Sequence, residues 1–371
     1  MTPTSGVPEV LASSRTRIAP AMRRAVERLS PDIHRLASYH LGWTDRSGSP
    51  VGAPTGKGIR PTLALLSAEA VWADAEVGVP GGVAVELVHN FSLIHDDIID
   101  GDHERHHRPT LWSAFGVGRA IIVGDALENL AHQVLLEASG TTGPAASTAL
   151  AEATSAMIAG QADDIAFEHR RDVSVEECMA MSAAKTGALL GCASSIGAIL
   201  AGAPPATVGA LRDYGCHLGL AFQAVDDLLG IWGDPARTGK PAGNDLRQRK
   251  KSMPVVSALA AGGEEAEELR ELVLGPPPDA GGAADDGAPG DPGAGAPANG
   301  ADRLGPEEPL GPEQVQRAAY LVEACGGREW TAVRAKAHLD AALGALERVR
   351  ISAVPHRQLA DLAVFVVERE S

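Results

Sequence analysis

Three features of this 371-residue chain predict an all-α protein, a single large helical bundle with a central cavity between long helices. Hydrophobic residues make up 44% of it and aromatics only 4%, so the core has to be built from Ala, Leu and Val, which suit closely packed helices. Apolar residues recur at helical spacing, and no stretch alternates as a strand would. Two long apolar runs also end alike, in paired aspartates followed by cations.

Taken in order, residues 1–8 hold two prolines and read as a flexible terminus, leaving 9–371 as one domain. Leu11 to Leu29 mixes apolar and basic residues at helical spacing, with Pro20 expected to break the helix or start a fresh one. A Gly/Pro/Ser loop from Ser47 to Gly58 runs into Gly56-Lys57-Gly58-Ile59-Arg60-Pro61. Small residues there let a ligand approach the backbone while Lys57 and Arg60 offer charge; a solvated loop would carry the same residues. A helix from about Pro61 to Trp72 follows, and Pro80-Gly81-Gly82 should separate it from the central apolar helix that begins near Val83. Glu86, His89 and Asn90 interrupt that run, which excludes a membrane span.

Beyond Pro109 the pattern predicts a helix from about Leu111 to Ala138, a polar turn over 141–148 and a helix from Ala149. Asp163 and Asp164 on the latter read as a solvated face. A further helix should start near Val175, leading to Lys185-Thr186. A lysine among small apolar neighbours either has an anionic partner or snorkels to solvent. Thr207 to Trp232 forms the second long apolar helix, carrying Gln223, Asp226 and Asp227 and followed by Lys240, Arg247, Arg249, Lys250 and Lys251. Residues 275–312 are Pro, Gly, Ala and Asp with almost no large apolar side chain, so they read as a disordered insertion. Two closing helices are expected, Ala332 to Leu346 and Leu359 to Val367.

The net charge of -16 disfavours a nucleic-acid or anionic-membrane partner. Cys178, Cys192, Cys216 and Cys325 form no CxxC pair and read as reduced core residues of a cytoplasmic protein, and no signal peptide is expected at the start.

The chemistry concentrates in His95 to Thr110. About 100° of rotation per residue puts Asp96 and Asp100 on nearly one face, one turn apart. Like charges so placed repel unless a cation sits between them, and Mg2+ takes carboxylate oxygens together with substrate phosphates. Arg105 and Arg108 follow with donors shaped for phosphate, and His103 and His107 read as a polar helix end rather than a metal cluster. Two such clusters suit a diphosphate whose departure from an allylic carbon is assisted by metal, with an apolar pocket excluding water from the resulting cation.

Gly56-Lys57-Gly58-Ile59-Arg60-Pro61, His89, Asp96-Asp97-Ile98-Ile99-Asp100, Arg105 to Thr110, Lys185-Thr186, Gln223, Asp226-Asp227, Gly239-Lys240-Pro241 and Lys250-Lys251 stand in one order. Over roughly Thr55 to Pro254 this resembles a trans-isoprenyl diphosphate synthase of the polyprenyl synthetase family. The resemblance implies the isoprenoid synthase fold, a homodimer without a membrane span, and Mg2+, about three ions once diphosphate is bound. It implies that Asp96, Asp100 and Asp226 hold metal, with Asp97 and Asp227 supporting. Lys57, Arg60 and His89 would bind isopentenyl diphosphate. Arg105, Lys185, Gln223 and Lys240 would contact the allylic diphosphate, Thr186 would stabilise the developing cation, and Lys250 joins the substrate-binding set.

Two positions depart from the family pattern. Gly230 stands where a third aspartate is usual, with Asp234 a turn further on, and His106 replaces a second arginine. Phe91, five residues before the first aspartate, is the expected floor of the chain-length pocket, which implies a C20 product, geranylgeranyl diphosphate. Farnesyl (C15) or longer products are the alternatives. A class I terpene cyclase or a non-catalytic subunit of a heteromeric synthase would share the aspartates and the helical fold.

Overall fold

The computed structural model describes residues 6–51, 58–138, 140–234, 242–275 and 309–367. In order the elements are α1 (Val7–Val26), α2 (Pro31–His40), α3 (Ile59–Ala70), α4 (Ala75–Ile99), β1 (Glu104–Arg105), β2 (Arg108–Pro109), α5 (Leu111–Phe115), α6 (Val117–Leu136) and α7 (Thr142–His169). Then come α8 (Val175–Ser182), a π-turn (Ala183–Gly187), α9 (Ala188–Leu200), α10 (Pro205–Trp232), α11 (Asn244–Arg247), α12 (Met253–Ala260), α13 (Glu264–Leu274), α14 (Pro312–Ala324), α15 (Gly327–Glu347) and α16 (Ala353–Val367). The all-α expectation holds. Among the described residues the exceptions are the two-stranded β1–β2 hairpin, which the sequence pattern did not signal, and an isolated bridge between Thr44 and Pro50.

The chain divides into two compact units, residues 1–161, 180–225 and 334–371 in the first, 162–179 and 226–333 in the second. In the first, Leu63 and Leu65 of α3, Leu87 and Ile94 of α4, Leu127 and Leu130 of α6 and Ile196 of α9 are fully buried. α3 and α9 approach closely enough for the Gly197 N–H to donate to Ser67 Oγ at 3.0 Å, while Ser67 Oγ donates to Ala64 O at 2.9 Å. The Tyr214 hydroxyl donates to Leu359 O at 2.7 Å, tying α10 to α16. A cavity of about 700 Å³ opens between α1, α3 and α16, beside Arg17 and Glu69. None of the residues named above for chemistry lines it.

In the second unit Ile231, Leu246, Val255, Leu269, Val273, Leu321 and Val322 form a separate core. Glu268 of α13 takes two hydrogen bonds from Arg317 of α14, at 2.7 and 2.6 Å. Arg249 and Arg171 donate to the carbonyls that end α13, Arg249 to Leu272 O at 2.5 Å and Arg171 to Leu274 O and Gly275 O at 2.5 and 2.8 Å. The Leu310 N–H, on the far side of residues 276–308, donates to Arg247 O at 3.0 Å. The expected insertion falls largely on those residues, which lie outside the described ones.

Several boundaries need correcting. Pro20 does not break α1, because Thr16, whose carbonyl loses its partner, is exposed to water and the buried stripe Leu11, Ile18, Met22 runs past it. Pro80-Gly81-Gly82 lies inside α4. A Cβ on Gly81 would lie 2.7 Å from Ile196, and one on Gly82 would lie 2.5 Å from Ile18. These glycines are therefore contacts for α9 and α1, not a break. The polar stretch 141–148 is mostly helix, the first turns of α7. Val7 and Pro8 belong to α1, α2 went unassigned, and three helices rather than two close the chain.

Two stretches, α4 and Val175–Leu200, are long and apolar enough to cross a membrane, but 56% and 67% of those windows are buried in the protein, as in core helices. Gly197→Ala should destabilise the protein by about 1–3 kcal/mol, because its Cβ would collide with Ala64 O, a backbone atom that cannot step aside. Thermal or urea denaturation reads this; a wild-type midpoint would contradict the packing described.

Candidate active site

α4 ends in a sequence that can stop a helix. The Asp100 N–H closes the last turn on Asp96 O at 2.8 Å, and Gly101 turns the chain at φ 68. Asp96 is half-buried and Asp100 exposed, whereas Asp97, facing inward, is 1% exposed. Arg105 returns on β1 to meet it, with Nε at 2.9 Å and Nη2 at 2.8 Å from Asp97 Oδ1. Burial pushes the Asp97 carboxyl above its usual range, while the hydrogen bonds and charge of Arg105 pull it back. Oδ2 of Asp97 is buried with no hydrogen-bond partner among the described residues.

The hairpin that delivers Arg105 pairs Glu104 with Pro109 and Arg105 with Arg108. His106 and His107 form its two-residue turn, at φ 52 and 59. Positive φ at both centres belongs to the type I′ turn, which favours Asn and Gly. His107, expected at a polar helix end, thus sits with His106 at a hairpin tip. Thr110 Oγ1 and Trp112 Nε1 both donate to Asp102 O, at 2.8 and 2.9 Å, and Tyr39 donates to Pro109 O at 2.8 Å. Arg108 lies over the Tyr39 ring at 4.6 Å and donates to Thr44 O at 2.8 Å.

One face of α4 carries Glu86, His89 and Asn90 toward further charged groups. Burial drives the His89 imidazole well below its usual range, and the charges of Arg60, Arg105 and His40 add to this. His40, at the end of α2, is lowered to about 4 by burial, with Arg105 and Arg108 contributing. Burial raises the Glu86 carboxyl, opposed by Arg60 and by a hydrogen bond from Asn90. Arg60, His89 and Arg105, named from separate stretches of sequence, are thus brought into one electrostatic neighbourhood.

Lys185 and Thr186 lie in the π-turn between α8 and α9, the local widening that often marks functional positions. Thr186 Oγ1 donates to Gln223 Oε1 of α10 at 2.8 Å, joining two residues that the family resemblance names from separate stretches of sequence. Lys185 is half-buried, and its backbone packs on Gly160 of α7, where a Cβ would come within 2.5 Å.

In the second unit Asp226 is exposed, whereas Asp227 is buried and its Oδ2 accepts from the Met253 N–H, the first residue of α12, at 2.9 Å. Such a carboxylate satisfies an amide that a helix N-terminus leaves open and lies in its favourable dipole. Both motifs therefore sink one aspartate into a fixed bond and present its neighbour. Gly230 has a carboxylate beside it after all: the side chain of Asp245, on α11, fills the space that a Cβ at 230 would need. The Lys250 N–H donates to Asp245 O at 2.8 Å. Lys251 Nζ donates to Glu168 O at 3.1 Å, and burial lowers the Lys251 amine to about 8. Asp163 is exposed, as expected of a solvated face, whereas Asp164 is half-buried. Lys57 and Lys240 lie outside the described residues.

The donors at both motifs are carboxylate oxygens, the set Mg2+ prefers. Among the described residues no three His, Cys, Asp or Glu side chains already form a metal cage.

The model of the polyprenyl synthetase family matches residues 43–281. The chain belongs to that family. The (2E,6E)-farnesyl diphosphate synthase of Mycobacterium tuberculosis is 41% identical over 362 residues, 98% of this chain and 93% of the relative. The geranylgeranyl diphosphate synthase of the same organism is 43% identical over 271 residues, 72% of this chain and 77% of the relative. The crystal structure of a polyprenyl synthetase from Streptomyces coelicolor A3(2) superposes with a TM-score of 0.85 at 49% identity, covering 97% of this chain and 99% of that one.

As a polyprenyl synthetase the chain is a trans-prenyltransferase that makes a prenyl diphosphate, and the cyclase reading falls away. The family's substrates are isopentenyl and allylic diphosphates, and its members are generally Mg2+-dependent. Sequence reasoning missed His40, Glu86 and Asn90 as parts of the charged neighbourhood, and it missed Asp245. The lone Asp in Gly243-Asn244-Asp245 was the available signal, obscured by the basic residues around it. Gly230→Asp should weaken rather than strengthen the enzyme, since the new Cβ would displace the Asp245 carboxylate. Roughly 1–3 kcal/mol of stability should go with it, measured by thermal melting beside turnover; a gain in turnover would overturn the assignment of that space to Asp245.

Proposed function

We propose that the chain is a Mg2+-dependent synthase that condenses isopentenyl diphosphate with an allylic diphosphate and stops at the C20 product, geranylgeranyl diphosphate. The carrying observation is Phe91. It is 8% exposed on α4, five residues before Asp96, and its ring meets His95 edge-on at 4.8 Å. A ring held in this way would make a firm floor, with the small Ser92 beside it. A C15 product is the second reading, favoured by the mycobacterial farnesyl diphosphate synthase that matches nearly the whole chain.

The residue roles follow the same reading. Asp96, Asp100 and Asp226 hold Mg2+, which when bound neutralises charge on the departing diphosphate. Asp97 keeps Arg105 in place beside the first motif, and Asp227 keeps the second motif against α12. Arg105, Lys185, Gln223, Lys240 and Lys250 bind the allylic diphosphate; Lys57, Arg60 and His89 bind isopentenyl diphosphate. The allylic C–O bond breaks and the diphosphate leaves with the electron pair. Thr186, whose hydroxyl is oriented by Gln223, stabilises the cation through its oxygen. The isopentenyl double bond attacks the allylic carbon, and the released pyrophosphate takes the proton that the adduct loses.

We place the enzyme in the cytoplasm as a homodimer. All four cysteines are free thiols, in keeping with a reducing compartment. Ile122 and Leu136 of α6, 55% and 57% exposed, lie about 40° apart around the helix. Val117, Ile121 and Ile158 add exposed apolar surface on α6 and α7, more than a helix facing water would carry.

Purified protein with Mg2+, isopentenyl diphosphate and allylic diphosphates of increasing length should yield C20 from the C5, C10 and C15 primers. Phe91→Ala should extend the products beyond C20. A wild-type product of C15, or unchanged length in the variant, removes the floor argument. Sedimentation should give twice the 38.2 kDa chain mass, and Ile122→Lys should halve it; a wild-type monomer refutes the dimer.

A further inference from the structure

His95 stands next to Asp96 but turns its side chain away from the aspartate set, toward α6. Its Nε2 lies 3.3 Å from Ile121 O. A carbonyl oxygen only accepts, so Nε2 carries the proton and donates it to that bond. Asp125 Oδ1, 3.8 Å from the same nitrogen, draws the N–H to the same side. The ring fits there because residue 124 is a buried glycine: a Cβ at that position would collide with Nε2 and lie 2.6 Å from Cδ2. Positions 121, 124 and 125 share one face of α6, so a single turn of that helix makes a seat for one side chain of α4.

The opposite side of the ring belongs to Phe91. Residues 91 and 95 are one turn apart on α4, and a long side chain on a helix leans back toward the turn before it, which brings such pairs together. The two ring centroids lie 4.8 Å apart with 73° between the planes, the edge-to-face arrangement that aromatic rings favour. A phenyl ring on a helix has few rotamers, and what fills the space beside it decides which one is kept. That space is filled by His95. Without the imidazole a gap opens between α4 and Gly124, and the Phe91 ring can turn into it.

We propose that His95 is a positioning residue for product length: seated against Ile121, Gly124 and Asp125, its ring holds Phe91 in the orientation that closes the pocket. The inference rests on the reading of Phe91 as the floor given above.

Product length tests it, measured on purified full-length protein with Mg2+, isopentenyl diphosphate and a C15 allylic primer. His95→Ala should raise the ratio of products one C5 unit longer than the wild-type product about tenfold. His95→Phe, which puts a ring back beside Phe91, should return that ratio toward wild type. Gly124→Ala keeps the histidine but fills its seat. Only the far end of a side chain has to yield, so the protein folds, and its products should lengthen as in His95→Ala. In the double variant no ring is left to displace, and Gly124→Ala should add nothing. A merely structural role would lower the melting temperature without moving product length. Phe91→Ala runs alongside. If it leaves length unchanged, the floor reading fails. If it lengthens the products while His95→Ala and Gly124→Ala do not, or if His95→Phe recovers nothing, or if the two substitutions add, the positioning role is overturned. Where His95→Ala does not fold by circular dichroism, Gly124→Ala carries the comparison.

Discussion

The bond between Asp97 and Arg105 is the constraint on which the first motif depends. A buried carboxylate needs a partner, and the cation that meets it lies eight residues on, past the helix end and on the first strand of the hairpin. Meeting that need folds Gly101 to Pro109 back over α4 and sets where the hairpin can lie. Thr110, Trp112 and Tyr39 then fasten the same segment through backbone carbonyls. Asp96 and Asp100 can remain near solvent because the neighbouring aspartate anchors the helix end.

The second motif solves the same problem with a different partner. Asp227 is buried like Asp97, but it spends its charge on the open amide of a helix start instead of on a guanidinium. Paired aspartates in this chain are thus divided between anchoring and presentation, which explains why adjacent, chemically identical residues differ so much in exposure. The lost third carboxylate at Gly230 follows from the same economy of space, since Asp245 arrives from outside the helix to stand there.

The candidate site residues stood out in the sequence because their types are rare in a core of Ala, Leu and Val. Aspartates at the end of an apolar run, or Lys185 among small residues, cannot be explained by burial alone. Local signals failed where distant packing decided the outcome. Pro80-Gly81-Gly82 has the composition of a break, yet Ile196 and Ile18 press against those glycines and hold them helical. The hairpin at Glu104 to Pro109 was hidden because histidines occupy turn positions where Asn and Gly are the usual markers. His40 and Asn90 were hidden for another reason: their meaning depends on a contact between helices fifty residues apart in the chain.

The stretch between Gly275 and Pro309 leaves and rejoins the second unit at one place. Arg249 holds the carbonyls before it and Arg247 receives the amide after it, two residues apart on the turn that carries Asp245. With both stems stapled to a common point, the ends of the stretch are fixed within the second unit whatever lies between them. Descendants of this gene can therefore gain or shed residues there while the aspartates keep their stations, which makes the position a natural port for grafting a foreign module.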